Sequence, residues 1–174
     1  IVNSKANNTM YDQKVICFSG KNYITEKIDG LVFKIGPKSF FQTNSNQTKK
    51  LYRKVVELAN INNKDIVYDL YTGTGTIAQY VAQHAKKIIG IDSVEEGIVA
   101  ARENTVINKI DNCTFFTGDM KEIFTEEFIN DNGSPNIIIT DPPRDGMHKK
   151  VIAQILKINP QRIIYVSCNS ATQS

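Results

Sequence analysis

The sequence predicts a doubly wound α/β fold, a parallel sheet with helices on both faces. Three observations lead there. Apolar runs rich in β-branched residues (DIVYDL, KKIIGID, CTFF, NIIITD and RIIYVS) recur along residues 65–167. Stretches with apolar residues at helical spacing separate them. The runs are apolar on both alternating faces, as parallel strands are when helices cover the sheet from both sides.

The elements follow in order. Residues 1 to about 36 carry short apolar runs, VICF and LVFKI, between Gly and Asn punctuation. They predict two or three short strands and turns in a β-rich lead-in segment over 1–45, too small for a core of its own. The main Rossmann-like domain occupies 46–174. It opens with a helix from Asn46 to about Ile61, where Leu51, Val55, Leu58 and Ala59 recur at helical spacing. DIVYDL is followed by a helix over about 76–85, and KKIIGID by a helix over about 94–108. CTFF precedes a weaker helix near 120–129, NIIITD a helix over about 148–158, and RIIYVS comes last.

The 174 residues suit one domain, and 41% hydrophobic with 22% charged residues is the balance of an ordinary soluble protein. No apolar run nears the roughly 20 residues that span a bilayer, and the start shows no signal-peptide pattern. The first residue is Ile1 and not Met, which reads as a boundary within a longer protein. A net charge of +3 permits a nucleic-acid partner without arguing for one. Nothing points to an obligate protein partner. Cys17, Cys113 and Cys168 are far apart, without C-x-x-C, and only 2 His accompany them. A metal site within this chain is therefore not expected. The odd cysteine count suggests reduced thiols and a cytoplasmic location. Cys17 in VICF and Cys113 in CTFF read as small buried filler.

DLYTGTGTIA places Gly73 and Gly75 between a strand and a helix. Glycine permits positive φ and close backbone approach to a ligand, although a purely structural turn has the same look. The next strand ends in Asp92, about 20 residues on, where a carboxylate binds ribose hydroxyls. The third leads to Asp119 in TGDM, which can meet an adenine amino group or simply cap the following helix. Ile77 and Ala78 occupy the region of the third Gly of a dinucleotide fingerprint. With no diphosphate to hold, S-adenosylmethionine is favoured over NAD.

The fourth strand ends as IIITDPPRDGM. Asp141 terminates it, and two prolines fix a rigid turn. Such a carboxylate can accept hydrogen bonds from a planar base, with Arg144 near enough to pair with it or with a phosphate; a solvated strand-end Asp is the plainer alternative. Cys168 ends the next strand at the same sheet edge. A lone Cys at a strand tip is often small filler. Beside Asp141 and a cofactor turn, the nucleophile is the better reading.

SFFQTN, DLYTGTG, GIDSVEEGIVAARENTVIN, DPPRDG and YVSCN, in this order, resemble the RNA uracil-C5 methyltransferases, which include 23S rRNA and tRNA enzymes. The likeness runs from about Gly20 to Thr172. It implies a Rossmann-like S-adenosylmethionine-dependent fold in which Gln42, Tyr71, Gly73, Gly75, Asp92, Asp119 and Asp141 hold the cofactor. It further implies that Phe40, Gln42 and Arg144 meet the target base, and that Cys168, Asp141 and Arg144 are the catalytic set. The order FFQTN is closer to the rRNA branch. The expected chemistry is thiolate addition to uracil C6, methyl transfer to C5, then loss of the C5 proton and of the thiolate.

Three positions depart from the family pattern: Thr72 where a Cys is common, Asp92 for a Glu, and Ser170 for a Pro. Family members also continue past the last strand to a general base, and many carry an N-terminal RNA-binding domain and a four-cysteine iron–sulfur site. The chain therefore reads as a catalytic-domain portion, expected to turn over poorly alone. Two alternatives stay open. An amino-directed methyltransferase prefers N-P-P-Y/F motifs, which D-P-P-R with a downstream Cys argues against. A non-catalytic RNA-binding relic is disfavoured by intact Cys168, Asp141 and Gln42.

Overall fold

The structure is a computed structural model, and it describes residues 15–42 and 44–167. The lead-in is a hairpin of β1 (Ile24–Ile28) and β2 (Leu31–Ile35), antiparallel with Ile28 opposite Leu31. Asp29 and Gly30 join them with φ of 45° and 95°. Two left-handed residues make the Asp-Gly turn whose twist matches a hairpin. VICF is not a strand: LVFKI pairs with ITEKI, and VICF has no strand partner among the described residues. Cys17 is accordingly exposed, with Ile16 and Phe18 beside it, and is not buried filler. Cys113 is half-buried at the start of a strand, close to its expected role.

The main domain opens with α1 (Ser45–Ala59), capped by Asn44, whose side chain accepts the Gln47 amide at 3.1 Å. Parallel strands β3 (Ile66–Leu70), β4 (Lys87–Asp92), β5 (Cys113–Thr117), β6 (Ile137–Thr140) and β7 (Arg162–Tyr165) then alternate with helices. Their order across the sheet is β5-β4-β3-β6-β7. The chain winds outward from β3 through β4 to β5, then returns to the other side of β3, so the winding reverses between β3 and β6. In open α/β sheets ligands bind at the carboxyl ends of strands beside that reversal.

Helix α2 (Thr76–Val81) tightens into a 3₁₀ turn at Ala82–His84, and α3 (Glu95–Asn108) covers the same face. The weak helix near 120–129 is two pieces, α4 (Met120–Ile123) and α5 (Glu126–Asn132). Thr125 breaks it by capping α5 through its hydroxyl, which accepts the Phe128 amide at 3.2 Å. Helix α6 (Lys149–Ile158) lies between β6 and β7. One core joins α1, α2, α3 and the hairpin residues Ile28, Phe33 and Ile35. The other holds Tyr68, Ile89, Ile138 and Val151 against α4, α5 and α6. Each wholly buried Ile or Leu of the strands contributes about 1.5–3 kcal/mol.

The hairpin is fastened to α3 by side chains. Asn108 accepts the Val32 amide (2.8 Å) and donates to the Val32 carbonyl (2.9 Å). One turn earlier, Asn104 accepts the Lys34 amide (2.7 Å) and donates to its carbonyl (3.3 Å). Asn104 is wholly buried. Two amides spaced i, i+4 thus satisfy the outer edge of β2 as a neighbouring strand would. Among the described residues no helix is long and apolar enough to cross a membrane.

Candidate active site

The sheet's carboxyl edge carries Tyr71, Gly73, Gly75, Asp92, Asp119 and Asp141 of the residues singled out from the sequence. β3 runs into Tyr71 at φ 63°, Gly73 at φ 55° and Gly75 at φ 72°. A bulky residue at positive φ is rare outside functional turns. The turn closes through the Gly75 amide on the Thr72 carbonyl (2.9 Å) and is tied to β4 by the Thr72 amide on the Ile91 carbonyl (3.0 Å).

The two glycines have different work. A Cβ on Gly75 would stand 2.8 Å from the Phe115 ring and 2.9 Å from Ala101, so this residue is glycine for packing as well as for its φ. A Cβ on Gly73 would meet nothing within 4 Å among the described residues. Its open side is free for a ligand. The first turn of α3 seats against the same loop: a Cβ on Gly97 would lie 3.1 Å from the Gly73 carbonyl oxygen.

Asp92 braces the turn, one oxygen accepting the Gly73 amide (2.8 Å) and the other the Val94 amide (2.9 Å). Each oxygen keeps a lone pair for a further donor. Asp119 caps α4, accepting the Lys121 amide (3.2 Å) and pairing with its ammonium (3.1 Å). The plainer of its two expected roles is thus present, and the Lys121 side chain holds its carboxyl below the usual range. Burial raises the Tyr71 phenol, with the Asp119 charge adding to the effect.

Asp69 was not singled out, yet it is the most perturbed carboxyl of the edge. It is buried and accepts the Thr72 hydroxyl (2.6 Å) and the Ala78 amide (3.1 Å). Burial pushes its pKa up to about 7, against the pull of those two hydrogen bonds. The sign in the sequence is an Asp inside the apolar strand DIVYDL, two residues before the turn it pins. Thr72, where the family often has Cys, supplies a stronger donor than a thiol to this carboxyl.

Asp141 leaves β6 with its amide on the Leu70 carbonyl (3.3 Å), and burial lifts its pKa to about 6. It lines a cleft of about 400 Å³ with Gln42, Lys54, Leu58, Tyr165 and Ser167. β6 and β7 stand side by side there, Thr140 opposite Tyr165, with the Val166 amide on the Thr140 carbonyl (2.8 Å). Gln42, 99 positions before Asp141 in the chain, therefore shares its cleft. Phe40 and Arg144 do not: both are exposed, Phe40 by 69%. Of the Phe pair it is Phe41 that turns inward, its ring 6.2 Å from Phe33. Cys168 lies outside the described residues, directly after Ser167 on the cleft wall.

Known proteins resemble this chain over its whole length. An uncharacterized RNA methyltransferase of Bacteroides thetaiotaomicron is 53% identical over all of the chain, which spans 38% of that protein. One of Porphyromonas gingivalis is also 53% identical over all of it, spanning 37% of the relative. Among solved structures, the Pyrococcus abyssi tRNA (uracil-54, C5)-methyltransferase in complex with S-adenosyl-L-homocysteine matches with a TM-score of 0.76 and 36% identity. That match covers 89% of this chain and 37% of the archaeal one. A family model described as tRNA (uracil-5-)-methyltransferase matches residues 10–174, and the chain belongs to that family.

Proposed function

We propose that this chain is the catalytic core of an S-adenosylmethionine-dependent transfer of a methyl group to C5 of a uridine in RNA. The observation that carries the reading is a glycine turn open at Gly73 at the same sheet edge as a cleft walled by Gln42, Asp141 and Ser167. The donor fits the turn. Gly73 leaves space, the free lone pairs of Asp92 suit ribose hydroxyls, and Tyr71 and Asp119 flank the position for an adenine. When bound, S-adenosylmethionine supplies an electrophilic methyl group.

The protein's part is to make a poor carbon nucleophile attack. The Cys168 thiolate adds to uracil C6, and the electron pair displaced from the ring double bond makes C5 enolate-like. Asp141, raised by burial and carrying a proton near pH 6, can hydrogen-bond a ring oxygen or nitrogen as either acid or base. After C5 is methylated a general base takes its proton, and the C6–S bond breaks to release the thiolate that attacked. The target base must be unpaired or flipped to enter the cleft, and the exposed Phe40 and Arg144, which lie outside its lining, are left to meet the RNA around that base by stacking and by a phosphate contact.

The order FFQTN favours a uridine of 23S rRNA. The 36% identity to the archaeal tRNA enzyme supports tRNA as a second reading. The compartment is the cytoplasm. RNA containing 5-fluorouridine tests the mechanism, because fluorine at C5 blocks the final elimination. The full-length protein should accumulate a covalent adduct and the Cys168→Ala variant none. An equal adduct in that variant removes the nucleophile assignment. Mass mapping of rRNA and tRNA from cells lacking the protein decides between the two RNAs.

A further inference from the structure

We infer that α3 is the ruler that sets where Gln42 stands, and that Asn104 and Asn108 are positioning residues for the site. The inference rests on the methyltransferase reading and names how one wall of its cleft is held. β2 and the segment after it run antiparallel to α3 and touch it at regular steps. Asn108 pairs with Val32, Asn104 with Lys34, and Glu96 with Lys38 through a 3.0 Å ion pair. Glu103 adds a 2.6 Å ion pair to the Lys34 ammonium.

The spacing explains why a helix can do this. Four helical residues rise about 6 Å. Two extended residues rise about 6.7 Å. Within β2, every fourth residue of α3 therefore meets every second strand residue, Asn108 at Val32 and Asn104 at Lys34. Past Ile35 the chain leaves the strand: Gly36 and Ala100 both line one groove of about 500 Å³, and Lys38 meets Glu96 from within the turn that follows. Beyond Lys38 the segment has short range to wander. The Ser39 amide closes a turn on the Gly36 carbonyl (3.1 Å), Phe41 packs on Phe33, and Gln42 follows at the cleft. A slip of β2 along α3 would carry Gln42 away from Asp141. The Asp-Gly turn fixes β1 against β2, and the two amides of α3 fix the pair against the main domain.

The ladder reaches the cofactor side as well. Asn108 donates to the Gln79 side chain (3.0 Å), and Gln79 donates to the Ala101 carbonyl (3.3 Å), which ties α2 to α3. The same helix thus bears on the glycine turn through Gly97 and on the Gln42 segment through its amides.

A double-mutant cycle in the full-length protein tests this, with S-adenosylhomocysteine affinity measured by calorimetry. Asn104→Leu should weaken binding about tenfold in the native background and by less than about threefold in the Gln42→Ala background. Amide exchange should accelerate about a hundredfold at Lys34, with β3 unchanged. Glu96→Ala removes an exposed rung that the fold tolerates losing, and should show the same pattern at smaller size. Equal losses of affinity in both backgrounds, or an unchanged Lys34 amide, overturns the inference. Absence of binding by the native protein counts instead against the methyltransferase reading, and Lys34 exchange still judges the ladder.

Discussion

Replacing each glycine of the turn by alanine separates packing from ligand approach. At Gly75 the added methyl would sit 2.8–2.9 Å from Phe115 and Ala101, at φ 72°. Carbon contacts are comfortable near about 3.5–4.0 Å, so the ring must move by up to about 1 Å. Overpacking of that kind costs about 1–3 kcal/mol. Left-handed backbone adds about 1–2 kcal/mol for a residue with a Cβ. Stiffening of the unfolded chain returns about 0.4–1 kcal/mol. The expected net loss is about 3 kcal/mol, or a fall of about 6–12 °C in Tm for a chain of this size. At Gly73 only the backbone cost remains, about 1 kcal/mol and about 2–4 °C. Donor affinity should invert the order: Gly73→Ala loses about tenfold or more because the methyl occupies the ligand's space. Urea unfolding followed by far-UV circular dichroism gives the first quantity, and calorimetry with S-adenosylhomocysteine the second. The chain has no Trp, so tyrosine emission is the optical check. Equal stability losses, or native affinity in Gly73→Ala, would refute the division of labour between the two.

Three further outcomes follow from named groups. Asp69 has a folded pKa of about 7, above its unfolded value. The folded state therefore binds the extra proton, and its stabilisation is full below about pH 4 and lost as pH rises through about 7. About 3 units correspond to about 4 kcal/mol. Asp69→Asn should flatten this part of the stability profile, and Thr72→Val, which removes a hydrogen bond to the charged form, should shift it to higher pH. Burial pushes the Cys113 thiol up to about 12 while Cys17 is exposed. Iodoacetamide at pH 8 should label Cys17 in the native protein and Cys113 only in denaturant, as read by peptide mass. The buried Tyr68 ring donates its hydroxyl to the Gly133 carbonyl at 2.9 Å. Tyr68→Phe should cost about 1–2 kcal/mol in urea unfolding with donor affinity unchanged.

The parallel sheet was legible because its strands are runs of Ile and Val whose neighbours are nearly all apolar; KIIGID and IIIT have no other stable place. The hairpin was half legible. LVFKI announces itself, but its partner ITEKI is polar at Thr25, Glu26 and Lys27, and VICF has the stronger local pattern. Pairing across the Asp-Gly turn overrides that pattern. The glycine turn and the carboxylates Asp92, Asp119 and Asp141 could be read from their places at strand ends. The identity of the inward ring of the Phe pair could not, since it depends on where Phe33 stands. Asp69 was hidden for a similar reason: its partners Thr72 and Ala78 reach it only after the chain has turned.

The side-chain rungs between α3 and β2 also constrain how this protein can change in length. One residue inserted between Glu96 and Asn108 would turn everything beyond it by about 100° about the helix axis. Asn104 or Asn108 would then point away from the hairpin, and the outer edge of β2 would lose its only helical cover among the described residues. Past Asn108 no rung to β2 crosses, whereas the Asp29–Gly30 turn is itself pinned, Asp29 accepting from Arg53 (3.1 Å) and from the Tyr80 hydroxyl (2.7 Å). Thirteen consecutive positions of α3, from 96 to 108, thus behave as one indivisible length of chain.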